Sequence, residues 1–142
     1  MEVKATYKEL CSYIQERFKQ PVSLSFAEGG EIRVTYTKRI LIKDVNISVN
    51  LRFDEVKSDS VTIAYDGAFG LDTIISGVLS FFKSHFPDLS AGIHPEDGHR
   101  IRINLSEIEK AKPVVENIEL RDIKVSEEGL RIEFGLKVPE SN

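Results

Sequence analysis

The chain of 142 residues is 41% hydrophobic and 30% charged, with one cysteine and no tryptophan. These numbers describe one ordinary globular domain, and they exclude a disulfide scaffold, since Cys11 has no partner in the chain, and a mostly disordered polymer. Nineteen Lys and Arg against 23 Asp and Glu give a formal charge of -4, which argues against nucleic acid or an anionic membrane as electrostatic partner, although a local basic patch survives such a total.

Met1 to Ala5 carry neither a basic run nor an apolar core, so no secretory leader is expected and the cytoplasm is the expected compartment. Thr6-Tyr7-Lys8-Glu9 has the form of a capping box and predicts a helix start. Tyr7, Leu10, Cys11, Ile14 and Phe18 follow at helical spacing, and Pro21 forbids continuation. Cys11 reads as a small buried hydrophobe. Val22, Leu24 and Phe26, then Glu28-Gly29-Gly30, then Ile32, Val34 and Tyr36 predict a hairpin. Val45, Ile47, Val49, Leu51 and Phe53 alternate with polar residues as a strand with one dry face, and Val61, Ile63 and Tyr65 predict the next.

Leu71 opens a second helix, with Leu71, Ile74, Ile75, Val78, Leu79 and Phe82 on one side and Phe81 and Phe86 widening the apolar arc until Pro87 ends it. Its apolar stretch is too short and too broken to span a membrane, which takes roughly 20 apolar residues. Gly77 in mid-helix predicts close backbone approach by a strand or another subunit. Beyond the loop His94 to His99 come a strand through Ile101, Ile103 and Leu105, a short helix or turn from Ser106 interrupted by Pro113, a strand from Ile118 to Val125, and a last strand from Leu130 to Val138.

The two halves resemble each other at an offset of about 69 residues, with about eight identities over about 36 ungapped pairs from Glu31–Asp66 onto Arg100–Gly135. Ile32-Arg33-Val34 falls on Ile101-Arg102-Ile103, Leu51-Arg52 on Leu120-Arg121, and Gly29 on Gly98. The expected architecture is α+β: a single domain over residues 1–142 made of two repeats, 1–69 and 70–142, each a helix followed by about four antiparallel strands. The two helices would pack on one strongly twisted antiparallel sheet, or the sheet would curl around the second helix.

Chemistry-bearing motifs are sparse. His94, Asp97 and His99 share one loop and are the candidates for a metal, but their spacing matches no closed ligand set, and a solvated turn is the plainer reading. No nucleophile elbow, zinc-protease helix or phosphate loop is present, so neither a catalytic residue nor a cofactor is predicted. Arg33, Lys38, Arg39 and Lys43 form a basic stretch without the interleaved aromatics of a single-strand nucleic-acid platform. The apolar excess of the second helix points to Phe69, Leu71, Ile75, Leu79 and Phe82 as lining for an apolar ligand, or as core packing.

The runs Ile101–Ser106, Ile118–Val125 and Gly129–Phe134 resemble the strand phrasing of tubular lipid-binding domains of the bactericidal/permeability-increasing kind. That resemblance implies a curved sheet wrapped around a helix and a lipid tail. The duplicated helix-plus-strands plan also resembles one domain of a sliding clamp. The expected function is a non-enzymatic binding module for an apolar small molecule or lipid tail beside the second helix. A protein-interaction or clamp-like scaffold, forming a homo-oligomer through open sheet edges, is the alternative. A metal-dependent enzyme using the His94–His99 loop is the most distant.

Overall fold

The computed structural model describes residues 1–67 and 70–138, with the backbone alone for 38–40. In chain order the elements are β1 (Glu2–Thr6), α1 (Tyr7–Phe18), β2 (Val22–Ala27), β3 (Glu31–Ile40), β4 (Lys43–Val56), β5 (Ser60–Gly67), α2 (Leu71–His85), α3 (Pro87–Ser90), β6 (Ile93–Glu96), β7 (Arg100–Asn104), a 3-10 turn (Leu105–Glu107), α4 (Lys112–Val115), β8 (Ile118–Val125) and β9 (Gly129–Leu136). The fold is α+β and its strand pairs are antiparallel.

The single sheet expected from the sequence is corrected to two among the described residues. Six strands run in the order β2-β3-β4-β5-β7-β6, and three in the order β1-β9-β8. β1 escapes sequence periodicity, because its only apolar alternation is Val3 and Ala5 and its partner β9 lies at the far end of the chain. Register sorts much of each sheet into apolar and polar rows, because directly opposed residues share a face. In the larger sheet Leu24, Val34 and Val49 stand in one row and Phe26, Ile32, Leu51 and Tyr65 in the next. The residues between them pair polar to polar: Thr35 bonds Ser48 at 3.0 Å and Thr37 donates to Asn46 at 2.8 Å.

The smaller sheet repeats this division with charge. Val3, Ile132 and Ile123 form an apolar row on one face; on the other, Lys4, Arg131 and Lys124 stand opposite one another beside a row of Glu2, Glu133 and Asp122. Like charges within a row repel, and the adjacent row offsets this through Arg131–Glu2 at 3.3 Å, Lys124–Glu133 at 3.4 Å and Lys4–Glu2 at 3.5 Å.

Pro87 and Pro113 each occupy the first turn of a four-residue helix, where the missing N–H has no intrahelical role. The expectation that Pro113 interrupts a helix is corrected accordingly. The buried apolar core draws on both sheets and the connections, with Ile32, Val49, Val61, Leu71, Ile108, Val115 and Leu120 among its members. Two hydrogen bonds tie the β4–β5 turn to the later chain, from Leu105 N to Asp59 O and from Leu120 N to Ser58 O. No described helix is long and apolar enough to cross a membrane.

Candidate functional site

The two long helices meet through aromatic rings. Phe18, at the end of α1, presents its ring edge-on to Phe82 at 5.4 Å and to Phe86 at 5.0 Å. Phe81 and Tyr13 extend the cluster, and the Arg17 guanidinium lies 5.4 Å above the Phe86 ring. Sequence periodicity put Phe18 and Phe82 on the inner sides of their helices; that they touch needed the tertiary fold. α1 is further held by the Cys11 sulfur, which accepts from Leu24 N at 3.2 Å, and by the Tyr7 hydroxyl, which donates to Ser126 O at 2.5 Å. Cys11 is half-buried, less enclosed than its sequence reading. Burial raises the Tyr7 phenol above its ordinary value.

Of the residues expected to line an apolar site, Leu71 is buried, whereas Ile75, Leu79 and Phe82 are half-buried along one side of α2. Phe69 lies outside the described residues. Leu71 can settle over the end of β5 because Gly67 has no side chain: a Cβ there would stand 3.0 Å from Ser48 O and 3.3 Å from Leu71 Cδ1. Gly77 behaves differently. A Cβ at that position meets nothing within 4 Å among the described residues, so the close approach by a strand is corrected: the glycine lies on the exposed side of α2.

The histidines part company. His94 on β6 contacts the Glu107 carboxylate, while His99 sits 3.2 Å from Asp72 at the start of α2 and stacks on the Tyr65 ring at 5.4 Å. Asp97 is exposed in the intervening turn. Each imidazole therefore has a different carboxylate, and among the described residues no three His, Cys, Asp or Glu side chains gather to hold a metal. Burial, and secondarily the Asp72 charge, raise the Tyr65 phenol.

A separate cleft of about 440 Å³ opens between the sheets, lined by Gly30, Phe53, Ile123, Val125 and Arg131 among others. None of the α2 residues above borders it. No local pattern of residues marks this cleft, because it depends on how β4 faces the edge strand β8. No family model, curated protein or solved structure matches the chain.

Proposed function

We propose that the chain is a non-enzymatic binding module, acting in the cytoplasm, that holds an apolar small molecule or lipid tail along the inner side of α2. The observation that carries this reading is the incomplete burial of its most apolar helix. Within α2 only Leu71 is buried, while Ile74, Ile75, Leu79, Phe81 and Phe82 keep part of their surface open. No large side chain among the described residues is fully buried anywhere in the chain. An apolar ligand covering that surface would gain about 25 cal/mol for each Å² removed from water, before the cost of ordering it. Ile75, Leu79 and Phe82 would make the contact, with Leu71 at the helix start.

Native mass spectrometry of freshly purified protein tests this directly. A retained apolar adduct is expected; a clean apo mass that stays clean after incubation with a fatty acid contradicts it. The same spectrum reads the scaffold alternative, which one edge favours: β2, Val22–Ala27, carries neither proline nor charge and, among the described residues, pairs only with β3. That reading requires a dimer or larger assembly.

We further propose that the domain arose by duplication of the 1–69 unit. The hairpins support it. Phe26 pairs with Ile32 and Pro95 with Ile101; Val56 pairs with Val61 and Val125 with Leu130, every partner displaced by the same interval. The two three-residue turns also share their left-handed positions, Gly29 and Gly30 in one, Gly98 and His99 in the other. The β4–β5 and β8–β9 ladders each contain one bulge, between Phe53 and Glu55 and between Leu120 and Asp122.

A further inference from the structure

The β3–β4 hairpin outruns the sheet that carries it. β2 stops pairing at Val22, opposite Tyr36, and β5 stops at Gly67, opposite Val49. The pairs Thr37 with Asn46, Lys38 with Val45, Arg39 with Asp44 and Ile40 with Lys43 therefore have no flanking strand among the described residues. At about 3.4 Å per residue this two-stranded arm extends roughly 14 Å.

Its turn is made of Leu41 and Ile42, which are 92% and 87% exposed. Leu41 has φ 57, a left-handed conformation that a bulky side chain rarely takes and that tight hairpins ordinarily give to glycine or asparagine. Neither turn geometry nor core packing accounts for two large apolar side chains at this tip. Around them the charge of the chain reverses. By sequence the arm holds three basic residues, Lys38, Arg39 and Lys43, and one acid, Asp44, whereas the whole chain carries -4.

We propose that this arm docks on an anionic lipid bilayer, with Leu41 and Ile42 entering the boundary between headgroups and acyl chains and the exposed Lys43 at headgroup level. Two tip residues fall far below the roughly 800 Å² per partner of a stable protein interface. Insertion into a bilayer needs no shape-matched partner, and apolar burial there adds to attraction between cations and anionic lipid. The inference does not rest on the apolar-ligand reading, since α2 takes no part in it.

Flotation of the full chain with phosphatidylcholine vesicles containing about 30% phosphatidylglycerol provides the test. Wild-type protein should float with these vesicles and not with phosphatidylcholine alone. The Leu41→Ser/Ile42→Ser variant, whose changes lie in solvent and whose fold is checked by circular dichroism, should lose about tenfold or more of that partition. Salt at about 0.5 M should do the same. Lys4→Gln, on the smaller sheet, should leave it unchanged. Absence of wild-type binding, equal binding by the tip variant, or loss of a protein dimer without any vesicle binding would each overturn the proposal.

Discussion

At the scale of single residues, the start of α1 shows how a short motif sets both structure and pH response. Thr6 Oγ1 accepts from Glu9 N at 3.1 Å, and Thr6 N donates to Glu9 Oε1 at 3.0 Å, so each satisfies a backbone donor that the first helical turn leaves free. The bond from the Thr6 backbone, aided by the Thr6 side chain, holds the Glu9 carboxyl below the ordinary glutamate value. A carboxyl lowered by folding contributes stability above its unfolded value, and that contribution disappears as pH falls through the lowered folded value. Thr6→Ala should cost about 1 kcal/mol in denaturant unfolding at neutral pH. Glu9→Gln should flatten the acid limb of helix content followed by circular dichroism, and an unchanged limb would show that the carboxylate bond contributes nothing. This motif was legible because all its partners lie within four residues.

At the scale of elements, α2 combines an apolar inner side with an outer side of Asp72, Thr73, Ser76, Gly77 and Ser80, all exposed. Gly77 in that position raises the entropy lost when the helix forms and packs against nothing among the described residues. Gly77→Ala should therefore stabilise the protein by about 0.5–1 kcal/mol, read as a higher urea midpoint at unchanged slope. Destabilisation, or dissociation of an assembly, would mean that a second subunit covers this side. Helix and strand periodicities were readable because side chains at i+2, i+3 and i+4 report a face locally. The rows across β1, β9 and β8 were not readable, since the match of Lys4 with Arg131 depends on a register between opposite ends of the chain. The projecting arm escaped for a related reason: alternation identifies β3 and β4 but cannot say where β2 and β5 cease to flank them.

At the scale of the whole molecule, nine strands among the described residues divide between two sheets, and α1 and α2 join through Phe18, Phe82 and Phe86. The α+β class followed from alternating strands and two apolar helix faces, as did the location of most elements. The partition into two sheets did not, because β7 pairs with β5 while the segment after it crosses to β8, a choice made by long-range packing around Ile108, Val115 and Leu120. The candidate site was half legible. The apolar excess of α2 stood in the sequence, but the contact of Phe82 with Phe18 and the separate carboxylate partners of His94 and His99 required the fold. The central claim is that α2 offers an apolar surface for a ligand, and hydrogen exchange of the full chain with and without a saturating long-chain fatty acid tests it most directly. Slowed exchange concentrated in the amides of α2 is the predicted result; unchanged exchange there, or protection confined to the cleft between the sheets, would contradict it.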